Sequence, residues 1–220
     1  MSRVAEIAAS LAGICARIDA AARRAGRDPA SVTLVAVTKT KPLADLLAAY
    51  EAGVRHFGEN RVQEAETKFP GLPAGAVRHL VGPIQSNKAN KAARLADVLH
   101  AVDSADLARR LARAAANEGR RLAVYVEVNT GGEATKAGVS AAEAPALVEV
   151  VRALPGLDLS GLMAIPPPGD TRPHFVALRA LAASLGLAGL SMGMSDDFEA
   201  AVEEGATVVR VGTALFGSRA

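Results

Sequence analysis

Tryptophan is missing from this chain, cysteine occurs once, and the aromatic residues amount to two tyrosines and five phenylalanines. The single Cys15 excludes an internal disulfide and a cysteine-based metal cluster, and it suits a reducing compartment. So few aromatic rings leave little on which nucleic-acid bases would stack. A strong charge of one sign is lacking too. The 25 Lys and Arg nearly cancel 23 Asp and Glu, a formal net charge of +2, so no basic surface of the kind that binds nucleic acid is expected. Nor is there a long hydrophobic run. The most apolar early stretch, residues 7–16, follows Glu6 and is closed by Arg17 and Asp19, too short to cross a bilayer. The core of a secretory signal is the alternative for that stretch. However, Val4, Ile7, Leu11, Ile14 and Ile18 step by three and four, the stripe of an amphipathic helix. A cytoplasmic protein without a membrane span is the expectation.

Half of the 220 residues are hydrophobic and 22% are charged, which suffices for a sizeable core. No linker divides the chain, so residues 1–220 read as a single domain. Pro166-Pro167-Pro168-Gly169 is its stiffest stretch, but it sits where a strand-to-helix loop belongs. Branched apolar runs at 33–38, 54–58, 77–81, 98–102, 122–129, 157–165, 187–192 and 207–211 predict strands. Helical stretches at 43–52, 87–95, 104–118, 141–153, 171–183 and 196–204 lie among them. Such alternation predicts an α/β fold with parallel strands joined by crossovers. Eight strands suggest a TIM-type (β/α)8 barrel with an extra N-terminal helix, because closure removes both exposed edges. An open doubly wound sheet is the competing arrangement.

Polar residues gather at the carboxyl ends of these runs: Lys39, Glu59 and Asn60, Asp103, Asn129, Ser195, and Arg210 with Gly212, while His79 lies within the third. In a barrel those ends face one mouth, where loops build active sites. Strand alternation puts Val35, Val37 and Lys39 on one face, so an inward-facing odd set projects a primary amine into the mouth. Lys41 shares that parity, but Pro42 ends the strand and Lys41 is expected to reach solvent. In the eighth run Val208, Arg210 and Gly212 share a face. Closure would make the first and eighth strands neighbours and bring Lys39 and Arg210 together. An amine desolvated beside a second cation loses its proton more readily and attacks carbonyls. The alternative for Arg210 is a pairing with an interior carboxylate, Glu127 or Glu59.

Ser195, following Gly193 and opening a helix as an N-cap would, and the pair Gly212-Thr213 look like a phosphate cup. Phosphate sites of such barrels commonly use the loops after strands seven and eight. Asp196 and Asp197 count against a bound dianion unless they point to solvent. His56, His79, His100 and His174 have no metal-ligand spacing and read as packed neutral imidazoles. Lys88, Lys91 and Arg94 read as a solvated helix face, and no Gly-rich nucleotide loop is present.

Six blocks in order then carry a resemblance that spans nearly the whole chain. They are Ala36 to Pro42, His56 to Asn60 with Val62-Gln63-Glu64, His79 to Lys88, Gly161 to Pro166, Leu190 to Asp197, and Val209 to Ala214. The sequence resembles the pyridoxal phosphate homeostasis protein family, which is similar to the barrel domain of bacterial alanine racemases without their second domain. The resemblance implies an imine between Lys39 and the aldehyde of pyridoxal 5'-phosphate. It also implies Arg210 at the pyridine nitrogen, Ser195, Gly212 and Thr213 on the phosphate, Asn60 near the ring and Met192 against its face. Arg78 departs from the aromatic residue common before His79, and the Gly131-Gly132 loop is unusually glycine-rich.

An arginine cannot accept the ring nitrogen's proton, so the ring would be a weak electron sink. Racemisation needs acid–base groups on both faces of the substrate carbon. The racemases supply a tyrosine from the domain missing here, and Tyr50 and Tyr125 are not well placed to replace it. The expectation is therefore a non-catalytic, monomeric carrier that buffers pyridoxal phosphate or delivers it to apoenzymes, with indirect effects on amino-acid balance. The alternatives are a small amino-acid racemase and a Schiff-base aldolase without bound cofactor.

Overall fold

Eight strands pair in sequence order, and the last returns to the first, in the computed structural model, which describes residues 2–133 and 137–217. They are β1 (Thr33–Val37), β2 (His56–Glu59), β3 (Val77–Leu80), β4 (Val98–Val102), β5 (Leu122–Glu127), β6 (Leu157–Met163), β7 (Gly189–Ser191) and β8 (Val208–Val211). The seam closes in parallel from Thr33↔Val208 to Ala36↔Val211. The barrel expected from the strand count is thus observed, and the open sheet is not. The helices are α1 (Arg3–Arg24), α2 (Leu43–Glu51), α3 (Val62–Lys68), α4 (Ala89–Leu95), α5 (Ala105–Asn117), α6 (Ala144–Ala153), α7 (Arg172–Ser184), α8 (Phe198–Glu203) and α9 (Thr213–Phe216).

Alternation along each strand divides the interior into two layers. Phe57, Leu80, Leu99, Leu162 and Val209 face outward and pack under the helices with Phe175 and Phe198. Val35, Val37, Val81, Ala101, Tyr125, Met163 and Val208 fill the lumen. A register shift in β4 between Leu99 and Val102 interrupts the alternation, so Ala101 joins the lumen while Val102 stays in the outer layer. Where β6 meets β7, Gly161 pairs with Gly189, and a Cβ built on Gly161 would lie 1.9 Å from the Gly189 carbonyl oxygen. Only glycine permits that approach.

The predicted N-terminal stripe is the helix α1, capped by the Ser2 hydroxyl, with Ile7, Ile14 and Ile18 buried. It covers the seam, where α9 after β8 has only four residues. Arg17 reaches Glu199 and Arg24 reaches Glu203, both on α8. Arg3 holds Asp45 on α2 and donates to the Phe216 carbonyl of α9. Helix α3 falls where no helix was expected. Its seven residues bury Val62 and Ala65, and its N-cap Arg61 makes no side-chain capping bond, so neither periodicity nor a cap signals it. The seventh strand is shorter than its predicted run, because the chain through Leu187 still turns out of α7.

Candidate functional site

Lys39 follows β1 in a tight turn closed by the Lys41 N–H on the Thr38 carbonyl at 3.0 Å. Thr40, at φ 65, occupies the left-handed region, which costs a residue with a Cβ about 1–2 kcal/mol. Helix α3 supplies the restraint. The Thr40 N–H donates to Glu64 at 2.9 Å, and Lys68 Nζ donates to the Thr38 carbonyl at 3.0 Å, to Glu59 at 2.8 Å and to Glu64 at 2.8 Å. Thr38 Oγ1 completes the cluster by donating to Glu59 at 2.6 Å. Burial pushes the Glu59 carboxyl up, against the hydrogen bonds from Lys68 and Thr38. Burial raises Glu64 as well, but its bonds to Lys68 and Thr40 outweigh that and hold it below the usual range. Glu59 therefore points away from the mouth, toward α3.

Arg210 comes from β8, where it is paired with Val35. It is 3% exposed, and neither interior carboxylate hydrogen-bonds to it. Its Nη1 donates to Ser191 Oγ at 2.6 Å and its Nη2 to the Ala164 carbonyl at 3.0 Å. That commits two of a guanidinium's five N–H donors. Burial lowers its pKa to about 10, with Glu127 and Asp197 opposing through charge. Glu127 ends β5 nearby, 5% exposed, with Oε2 unpartnered. Burial, reinforced by the charge of Asp103 and opposed by Arg210, pushes its carboxyl up to about 7.

Lys39 and Arg210 line one cavity of about 320 Å³ with Asn60, Ser195, Gly212 and Thr213. Val37, Val81, Pro83, Ile165 and Met194 supply apolar walls. Asn60 is set by a close approach: a Cβ on Gly82 would lie 2.5 Å from its carbonyl oxygen. Ser195 departs from the expected role. Helix α8 starts only at Phe198, with Asp197 at its N-cap, whereas Ser195 Oγ accepts the N–H groups of Gly212 and Ala214 at 3.3 Å each. It thus joins the loops after β7 and β8 instead of capping α8. The Asp197 carboxylate turns to the Met194 N–H at 2.6 Å, and Asp196 is exposed at the cavity edge.

Met192 requires a correction. Ser191 faces the lumen, so the next residue faces outward, and Met192 is fully buried in the outer layer with Phe198, away from the cavity wall. Tyr125 lies in the lumen, stacked on His100, and does not line the cavity either. Lys41 reaches the Phe216 and Gly217 carbonyls. Arg78 grips Asp97 through two side-chain bonds. Lys91 pairs with Glu66 and Arg94 with Glu118, so this stripe is a helix face laced to its neighbours, while Lys88 lines a groove beside Asn60. Among the described residues no cluster of His, Cys, Asp and Glu could hold a metal ion, and no helix is long and apolar enough to cross a membrane. Sequence reasoning missed Glu64, Lys68 and Ser191. The pattern Glu64-x-x-x-Lys68 was a legible helical pair; nothing local marked Ser191.

A cavity lined by a primary amine, by a buried cation holding donors in reserve and by the polar residues Asn60, Ser195 and Thr213 suits a flat anionic aldehyde with a ring acceptor. The profile of the alanine racemase N-terminal domain family matches residues 10–220. A pyridoxal phosphate homeostasis protein of Pseudomonas aeruginosa is 48% identical over 100% of this chain and 97% of its own. PipY of Synechococcus elongatus, solved with PLP bound, is 42% identical, with a TM-score of 0.83 over 96% of this chain and 100% of that one. An alanine racemase of Clostridium difficile shares the fold at 16% identity, with a TM-score of 0.71 over 86% of this chain and 56% of the racemase.

Proposed function

This chain belongs to the alanine racemase N-terminal domain family and, within it, to the pyridoxal phosphate homeostasis proteins; from that membership we propose that it binds pyridoxal 5'-phosphate and buffers or delivers it inside the cell. The observation that carries the proposal is that Lys39 and Arg210 line the same cavity. Bound there, the cofactor would supply an aldehyde, and Lys39 would be the amine that holds it. Arg210 offers its unused N–H donors to the ring nitrogen and, having no acceptor, leaves that nitrogen unprotonated. Ser195, Gly212 and Thr213 hold the phosphate, and Asn60 borders the ring. Val37 and Val81, both buried, would give the ring an apolar wall.

The ionisable side chains lining the cavity are Lys39, Arg210 and Asp196, and Asp196 is exposed. That favours a carrier over a racemase, which needs a group on each face of the substrate carbon. Recipients of the cofactor are apoenzymes or free amines, and the carrier acts as a cytoplasmic monomer. Among the described residues the large exposed apolar side chains, Leu47, Ile165, Val176 and Met194, are few. The test is deuterium exchange at the α carbon of a panel of amino acids, run beside transfer of the cofactor to an apoenzyme. Transfer with negligible exchange is expected. Exchange at enzymatic turnover would establish the racemase instead.

A further inference from the structure

Three histidines form a line through the lumen. His56 Nδ1 lies 3.0 Å from His79 Nε2, His79 Nδ1 lies 2.9 Å from His100 Nε2, and His100 Nδ1 lies 2.8 Å from Ser191 Oγ. Arg210 Nη1 donates to that same hydroxyl at 2.6 Å. His79 and His100 are buried, while His56, at the opening residue of β2, is half-buried. The rings are tilted by 52° and 48° at centroid separations of 5.2 Å, so they meet through their nitrogens and not face to face.

The line has only one workable direction. Desolvation lowers the pKa of His79 to about 3 and that of His100 well below 6.5, so both rings are neutral, with one donor and one acceptor each. The titratable groups acting on them are His56 and Asp97 toward His79, and His79 and Arg210 toward His100, whose ring also stacks on Tyr125. No carboxylate hydrogen-bonds to any member. Arg210 can only donate, so Ser191 Oγ accepts from it, and the hydroxyl hydrogen is left to His100 Nδ1. His100 then carries its proton on Nε2 and donates to His79 Nδ1. His79 in turn carries its proton on Nε2 and donates to His56 Nδ1. The opposite direction would leave the buried Ser191 hydrogen without an acceptor among the described residues, which a buried donor does not tolerate cheaply.

We propose that Ser191, His100, His79 and His56 are positioning residues: a one-way hydrogen-bond relay that fixes the orientation in which Arg210 meets a bound cofactor and ties it to the amino-terminal end of the barrel. The ligand side of this inference rests on the carrier reading; the relay itself belongs to the protein alone. The two are tested separately. In ligand-free, nitrogen-15-labelled protein, long-range proton–nitrogen spectra should report His79 and His100 as neutral Nε2–H tautomers between about pH 6 and 8. An Nδ1–H tautomer or a cationic ring at either position in the wild type would overturn the relay. Ser191→Ala removes the group that sets the direction, so His100 should become a mixture of tautomers; a retained single Nε2–H form would also overturn it.

On adding pyridoxal phosphate, S191A should bind about tenfold more weakly, the effect of losing one charge-assisted hydrogen bond. His100→Asn keeps an acceptor for Ser191 and should preserve the wild-type absorption maximum, whereas His100→Leu should shift it. Equal spectra for the two variants would contradict the coupling. Wild-type protein that shows the expected tautomers but takes up no pyridoxal phosphate would leave the relay standing and sink the carrier reading.

Discussion

The Glu64 carboxylate accepts the backbone N–H of Thr40 at 2.9 Å, so the helix after the second strand holds the strained turn that presents Lys39. Lys68 is the hub of this support, 11% exposed between Glu59 and Glu64. Lys68→Met would leave the buried Glu59 without its cation, at a cost of about 3 kcal/mol. Urea unfolding should register that loss, and cofactor uptake should weaken with it. Glu64→Gln keeps an acceptor for Thr40 and should cost about 1 kcal/mol. A K68M protein as stable as wild type would refute the support.

Gly161→Ala would drive a methyl group into the backbone of β7 at Gly189. The expected loss exceeds about 3 kcal/mol, because backbone, unlike a side chain, cannot step aside. Thermal unfolding of the variant measures it, and a melting temperature within a degree or so of wild type would contradict the pairing geometry.

Glu127 makes stability depend on pH in an unusual direction. Its native pKa of about 7 lies above the ordinary 4.5, so between those values the folded state binds more protons than the unfolded chain. Stability therefore falls as pH rises through that window, by about 3 kcal/mol in all. Glu127→Gln should abolish the fall and stabilise the protein at pH 8. Identical pH profiles for E127Q and wild type would show that Glu127 ionises normally.

The buried histidines act in the opposite sense. The native pKa of His79 is about 3 against an ordinary 6.5, so the unfolded chain binds the extra proton. The contribution is complete above pH 6.5 and is lost as pH falls, at about 1.4 kcal/mol per unit for each such ring. With His100 shifted the same way and His56 lowered by burial too, chemical denaturation of E127Q between about pH 6 and 5 should take up at least about two protons on unfolding. A flat profile over that range would contradict neutral rings in the lumen.

Much of this architecture could be read from the chain. Branched runs separated by helical stretches gave the barrel, and the shared parity of Val35, Val37 and Lys39 put the amine at the mouth. The parity of Val208 and Arg210 did the same for the guanidinium. Helix α3 escaped because seven residues with one buried pair carry too little periodicity. Met192, expected at the ring only from the family resemblance, lies in the outer layer because Ser191 faces inward, a direction that only its tertiary partners reveal. Each relay histidine looked like an ordinary packed ring. Their alignment depends on the stagger between β2, β3 and β4, a property of barrel closure and not of any local segment.

Arg210→Glu replaces a donor with an acceptor that would keep the ring nitrogen protonated, so the absorption spectrum of the loaded protein should change. Arg210→Lys, which retains the charge, should change it less. Identical spectra for wild type and R210E would remove Arg210 from the ring nitrogen.

The most direct test of the account is to treat the loaded protein with borohydride, digest it and map the modified peptide. A visible band that bleaches on reduction, with the cofactor's mass on Lys39 and none fixed by Lys39→Ala, is the expected result. A fixed adduct on Lys41 or Lys68, or undiminished fixation by K39A, would contradict it.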